Sequence, residues 1–269
     1  MPGIAAIDVE ELRRELSGPA SLWQQISLVA ETGSTNADLA EAARRGELGG
    51  TVLITDYQSA GRGRLGRTRT APPGTSIAMS VLLCPVGVDP QRWTWLPLLA
   101  GLAVTEAVQR AAGLDAVLKW PNDVLLGERK LCGILAERVE TPTGPACVIG
   151  MGINVALTAA DLPVPTATSL ALAAEQAGRP TPARTAVILE VLRELGVLVL
   201  RWLASPNDDV VAEAYRARCA TLGRRVQVLV GPSRTVEGVV TDIDREGRLV
   251  VRTSAGRETF GAGDVMHLR

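Results

Sequence analysis

The texture of the chain changes once, near residue 222, and that change bounds the fold more tightly than any other feature. Ahead of it, strand-like and helix-like patterns alternate. TVLITDYQ (51–58) and SIAMSVLLC (76–84) are short and β-branched or apolar, so each reads as a strand. NADLAEAARR has helical spacing, with Ser34 or Thr35 as its cap and Gly46 as its stop. RWTWLPLLAGLAVTEAVQRAAG (92–113) is a longer helical pattern. AVLKWPNDVLL, KLCGILAERV and ACVIGMGINVA then read as three strand-like runs, followed by the helical SLALAAEQAG, ARTAVILEVLRELGVLVLRWL and DDVVAEAYRARC. Behind the change there are only short strands and turns: RRVQVLV, TVEGVVTDID, RLVVRT, RETF and DVMHL, with REG and SAG as hairpin turns. This pattern predicts an α/β fold of the α+β type over 1–220 and a small SH3-like β-barrel over 221–269. A length of 269 residues is enough for one large core and one small one.

The chemistry available to the chain is narrow. Its one histidine, His267, stands near the C-terminus, which argues against Ser-His-Asp or Cys-His catalysis. Cys84, Cys132, Cys147 and Cys219 form no C-x-x-C pair and read as reduced, buried thiols rather than a zinc or disulfide set. No metal site is expected. The N-terminal MPGIAAIDVEELRREL reads as an amphipathic helix, not a secretory signal, and no apolar run is long enough to span a membrane. The expected location is therefore the cytoplasm. A net charge of −1 argues against a protein that coats nucleic acid. Of 28 basic residues only Lys119 and Lys130 are lysines. In a chain that uses arginine wherever positive charge suffices, a retained lysine points to a need for its compact ammonium.

YQSAGRGRLGRTRTAPPGTS is the strongest local signal. Gly61, Gly63 and Gly66 satisfy G-x-G-x-x-G, yet Pro72 and Pro73 forbid the helix that a dinucleotide site needs, and no GK[ST] follows for a P-loop. Arg62, Arg64, Arg67 and Arg69 leave two readings open: an RGG-like arm for RNA, or a loop closing over a small anionic ligand. Such a loop repels itself, and ordering about ten residues costs on the order of 10 kcal/mol of backbone entropy. Ordering of 59–74 is therefore expected to be coupled to ligand binding. In KWPNDVLLGERKLCGILAE (119–137), Lys130 follows the Gly127 turn, and Gly133 inside a strand marks a close approach.

In order and spacing, STN (34–36), TDYQSAGRGRLGR (55–67), KWPNDVLL, KLCGILAE, GMGINV (150–155) and the Pro165, Thr168, Ser169, Leu170 stretch resemble the biotin protein ligase family. The resemblance covers nearly the whole chain from about residue 25, and the GRGR loop separates it from the lipoate ligases. It implies a mixed-sheet, biotin/lipoate-ligase-like catalytic domain. It also implies an ATP- and Mg2+-dependent enzyme that forms biotinyl-5′-AMP and transfers biotin to a lysine of the biotin carboxyl carrier domain of acyl-CoA carboxylases. Carried over by position, the biotin contacts are Ser34, Thr35, Asn36, Gln58, Arg62, Gly63, Arg64, Lys130 and Gly133. The catalytic groups are Lys130, Arg64 and Asp123, and the nucleotide side is Arg67, Arg69, Asn122 and Asn154. The sequence departs from the family at Thr68-Arg69-Thr70, where no aromatic residue is available to stack on adenine. Only about 20 residues precede the first strand, so no winged helix is expected and the chain reads as an enzyme without a repressor role. No nucleic-acid or membrane partner is expected, and a monomer is favoured over a homodimer.

Overall fold

A computed structural model describes residues 5–205, 207–231 and 234–268, with the side chains of Leu65 and Arg69 outside that description. The expected N-terminal helix is the short α1, Val9–Leu16, capped by Asp8, whose carboxylate accepts from the Glu11 N–H. Residues 1–4 of that expectation lie outside the described residues. Strand β1 (Gln25–Thr32) leads to α2 (Thr35–Arg44) and β2 (Thr51–Gln58). The arginine loop carries the two-residue strands β3 (Gly61–Arg62) and β4 (Thr68–Arg69), and β5 is Ser76–Leu83. A short 3-10 turn, Pro90–Thr94, precedes α3 (Trp95–Ala112), which ends on Gly113 in the left-handed region.

The strand-like run AVLKWPNDVLL holds two strands, β6 (Ala116–Lys119) and β7 (Asp123–Leu126), because Pro121 between them has no N–H to continue a ladder. β8 (Arg129–Thr141) and β9 (Gly144–Asn154) follow as a long hairpin, then α4 (Leu170–Gln176), α5 (Arg184–Ala204) and α6 (Asp209–Arg218). The sheet order is β1-β2-β5-β9-β8-β7-β6, parallel only between β1 and β2. It is a mixed sheet, as the fold class requires. One face, carrying Ile77, Met79, Ile134, Ile149, Met151 and Ile153, is buried in the main core with residues of α3 and α5. No helix among the described residues is long and apolar enough to cross a membrane.

The C-terminal strands β10 (Arg225–Val230), β11 (Arg234–Ile243), β12 (Leu249–Thr253), β13 (Gly256–Phe260) and β14 (Asp264–His267) form one antiparallel sheet, ordered β13-β12-β11-β10-β14. Its Val226, Val228, Ile243, Leu249 and Phe260 join the same apolar cluster as the large sheet. Docking is specified by indole donors: Trp95 Nε1 gives to Arg245 O at 2.7 Å and Trp120 Nε1 to Gly247 O at 3.0 Å. Trp120 is 1% exposed. Its replacement by alanine removes a buried ring and leaves the Gly247 carbonyl without that donor. A loss of about 3–5 kcal/mol is expected, read from the urea midpoint. A loss under about 1 kcal/mol would show that the junction does not depend on it.

Candidate active site

The face of the sheet opposite α3 and α5 is only partly covered. Leu39, Ala40 and Ala43 of α2 pack on Leu82, Val139, Ala146 and Val148. Beyond the N-terminal end of α2 the sheet carries almost no side-chain bulk. Thr55, Ala78, Gly152, Gly133 and Asp123 stand opposite one another across five strands. The neighbouring row is Leu53, Ser80, Gly150 and Leu135. Directly opposed residues share a face, so the three glycines and the alanine make a trough rather than a core. The result is a pocket of about 330 Å3, open at its mouth and walled by Thr35, Asn36, Gln58, Arg62 and Leu135.

The first turn of α2 supplies the polar wall. Ser34 caps the helix, its hydroxyl accepting from Ala37 N–H, so that side chain is occupied locally. Thr35 N–H donates to Gln58 Oε1 at 2.9 Å, and Thr35 Oγ1 lies 3.0 Å from the same oxygen and 2.7 Å from Ser80 Oγ. Ser80 Oγ donates to Asn36 Oδ1 at 2.7 Å, while Asn36 Nδ2 donates to Glu137 Oε2 at 2.7 Å and Leu135 O at 3.2 Å. Gly150 makes this possible: a Cβ there would stand 2.2 Å from Asn36 Oδ1.

At the far end of the trough the charges gather. Lys130 Nζ is 2.6 Å from Asp123 Oδ1, and its side chain runs over Gly133, where a Cβ would approach Cε and Nζ to 3.2 Å. The close approach marked by Gly133 is thus made by the lysine itself. Lys130 N–H donates to Thr166 O and its carbonyl accepts from Thr168 N–H, which pins the Pro-rich 158–169 segment beside the site. Arg64 reaches the adjoining residue, with Nη1 donating to Asn122 Oδ1 at 2.9 Å and Nη2 to Gly263 O at 3.2 Å. Asn122 Nδ2 in turn holds Ile134 O at 3.0 Å. Arg67 pairs with Asp264. The arginine loop therefore closes on acceptors of the protein, two of them at the start of β14. These carbonyl and carboxylate partners offset part of the mutual repulsion among the loop's arginines.

The structure brings Thr35, Asn36, Gln58, Arg62 and Gly133 to one pocket; Asp123, paired with Lys130, stands opposite Gly133, and Arg64 and Asn122 line a second pocket that shares Leu135 with the first. Gly63 serves the turn, its N–H donating to Arg67 O. Arg67 is committed to Asp264, and the side chain of Arg69 lies outside the described residues. Asn154 donates to Thr168 O at 2.9 Å and braces the 158–169 segment. The sequence reading did not single out Ala78, Ser80, Glu137, Gly150 or Gly152. The alternation of Gly150 and Gly152 in a strand was a usable signal, since glycines two apart bare one face.

Histidine and cysteine stay out of the site. His267 Nε2 is 3.1 Å from Thr221 Oγ1 at the junction with the small sheet. Burial pushes the Cys147 thiol up to about 12, and also raises Cys84 and Cys219, so none is a ready thiolate. Among the described residues no group of His, Cys, Asp and Glu is arranged to hold a metal.

Residues 33–154 match the biotin/lipoate A/B protein ligase family, and residues 221–268 match the biotin protein ligase C-terminal domain. The chain is 41% identical to a biotin–[acetyl-CoA-carboxylase] ligase of Mycobacterium tuberculosis, over 98% of this chain and 96% of that one. It is 32% identical to the enzyme of the same name from Paracoccus denitrificans, over 88% and 98%. Among solved structures it superposes on a biotin protein ligase from Aquifex aeolicus in complex with biotin and ATP. The TM-score is 0.77 at 26% identity, covering 92% of this chain and 100% of that one.

Proposed function

The chain belongs to the biotin protein ligase family, and from that premise we propose that it activates biotin with ATP and passes it to a lysine of a carboxylase's biotin carrier domain. The observation that carries this reading is the continuity of the trough. A neutral hydrogen-bonding wall at Thr35 and Gln58 leads over bare glycines to a cationic end at Lys130 and Arg64. A molecule with a ureido head, an apolar ring and a terminal carboxylate has the matching order of groups.

In the first step a biotin carboxylate oxygen attacks the α-phosphorus of ATP. The bond to pyrophosphate breaks and biotinyl-5′-AMP forms. Lys130, at the end of the trough, neutralises charge on the carboxylate and α-phosphate oxygens, which is the chief requirement of such a transfer. In the second step the carrier lysine's amine attacks the acyl carbonyl, an amide forms, and AMP leaves with the acyl–oxygen bond electrons. Asp123 holds the Lys130 ammonium in place and is the nearest carboxylate to receive the incoming amine's proton. Arg62, Gly63 and Arg64 cover the intermediate, and Asn122 fixes Arg64. Arg67 and Arg69 are carried over by position to the nucleotide side, and of the two Arg67 is held by Asp264. Asn154 contributes by holding the neighbouring segment.

ATP enters as its magnesium complex. The cationic end carries one carboxylate, Asp123, already paired with Lys130, so the metal travels on the phosphates rather than in a protein cage. A monomer is the proposed working state. The carrier belongs to acyl-CoA carboxylases. Mixing the protein with biotin and Mg-ATP is expected to yield biotinyl-AMP and pyrophosphate by mass spectrometry, with no product when the metal is chelated. Product from lipoate but not from biotin would overturn the substrate assignment.

A further inference from the structure

The hydrogen-bonded wall beside α2 contains one hydrogen too few. Asn36 Oδ1, Ser80 Oγ, Thr35 Oγ1 and Gln58 Oε1 make three successive oxygen–oxygen contacts of 2.7, 2.7 and 3.0 Å. Only the Ser80 and Thr35 hydroxyls have hydrogens to place in them. The direction is set at the other end. Glu137 Oε2 and Leu135 O are both acceptors and both face Asn36 Nδ2. The Asn36 amide is thereby fixed with its oxygen toward Ser80, which must donate to it. Ser80 then accepts from Thr35, and the Thr35 hydrogen is used. The 3.0 Å contact between Thr35 Oγ1 and Gln58 Oε1 is left without a hydroxyl hydrogen, and Thr35 N–H alone satisfies Gln58 Oε1.

Two acceptor oxygens on the pocket wall, side by side and a hydrogen short, form a site for an N–H donor. We infer that Glu137 is the positioning residue of the headgroup site: by orienting Asn36 it keeps Thr35 Oγ1 and Gln58 Oε1 open as a paired acceptor for a ligand N–H, here a ureido N–H. Without Glu137 only the longer 3.2 Å bond to Leu135 O holds the Asn36 amide, and the amide can turn over to fill the third contact. Asn36 Nδ2 then donates to Ser80, Ser80 to Thr35, and Thr35 to Gln58. All three contacts are filled, and the place of the ligand's hydrogen is taken. Glu137 is opposite Val148, one row beyond Gly150 and Leu135 and beneath α2, so it acts through Asn36 and not by touching the ligand.

The inference rests on the biotin-activating function proposed above, and the test separates the two. Biotin adenylation is measured for the wild type, Glu137→Ala and Glu137→Gln, with biotin and with a biotin analogue in which one ureido N–H is replaced by oxygen. Glu137→Ala is expected to raise the KM for biotin about tenfold or more, the worth of one good hydrogen bond. The kcat at saturating biotin and the KM for ATP should stay within about twofold of wild type. Glu137→Gln keeps an amide oxygen that accepts from Asn36 and is expected to restore the KM to within about threefold. The analogue should be rejected strongly by the wild type and less by Glu137→Ala, because the alanine variant has already lost the acceptor pair. An unchanged biotin KM in Glu137→Ala overturns the inference. So does a glutamine variant as impaired as the alanine one, or an analogue penalty equal in both proteins. Absence of biotinyl-AMP from the wild type would overturn the function, and this inference with it.

Discussion

Lys130→Ala is expected to lower the rate of biotinyl-AMP formation by about 10²–10³ or more while leaving the fold intact. The ammonium stands at the cationic end of the trough, 2.6 Å from Asp123 and packed over Gly133. It is the compact charge able to contact a carboxylate and a phosphate oxygen together. The side chain is 43% exposed and its pair with Asp123 is partly solvated, so its loss should cost no more than about 1 kcal/mol of stability. Single-turnover adenylation, followed by mass, separates this outcome from a folding defect, which a melting curve would reveal. Lys130→Arg is not expected to rescue, because a planar fork is broader than the ammonium that Gly133 admits. Adenylation near the wild-type rate in the alanine variant would remove Lys130 from the mechanism.

Gly150→Ala is expected to have the largest effect of any single methyl group added to the chain's pocket. The new Cβ would lie 2.2 Å from Asn36 Oδ1 and 2.9 Å from its Cγ. β9 is paired on both sides, to β5 and β8, and cannot yield. The first turn of α2 must lift instead, which breaks the contacts among Asn36, Ser80 and Thr35. Overpacking of this kind costs about 1–3 kcal/mol. The larger consequence falls on ligand binding, where a loss of about 10²-fold or more in biotin affinity is expected. Biotin should raise the melting temperature of the wild type and leave that of the variant unmoved. An undiminished biotin-induced shift would show that the α2 wall is not the headgroup site.

Much of this protein is legible in its sequence, for reasons that are local. β-branched runs and period-3.6 apolar spacing place β2, β5, α3, α5 and the five C-terminal strands within a few residues of where they lie. The Ser34 cap, the Gly46 stop and the Gly127 turn are each set by one residue's side-chain or backbone preference. The retention of lysine at 130 and the glycine at 133 point to a site because they depart from the habits of the chain. Inside AVLKWPNDVLL the strand-like pattern is continuous, and Pro121 marks the break between β6 and β7.

The order of elements, the change of texture near residue 222 and the residue types available for chemistry follow from local patterns in the chain. Which of those residues meet depends on how the chain folds back on itself. Asn36 and Glu137 are 101 positions apart, and Arg64 and Gly263 are 199 apart. Cross-strand register, not sequence spacing, aligns Ala78, Gly152 and Gly133 into a trough. The loop's arginines repel one another along the sequence, and the fold brings Asn122 and Gly263 to Arg64 and Asp264 to Arg67. Long-range partners of this kind leave no periodic trace, since a hydrogen bond requires only that two atoms arrive at one place.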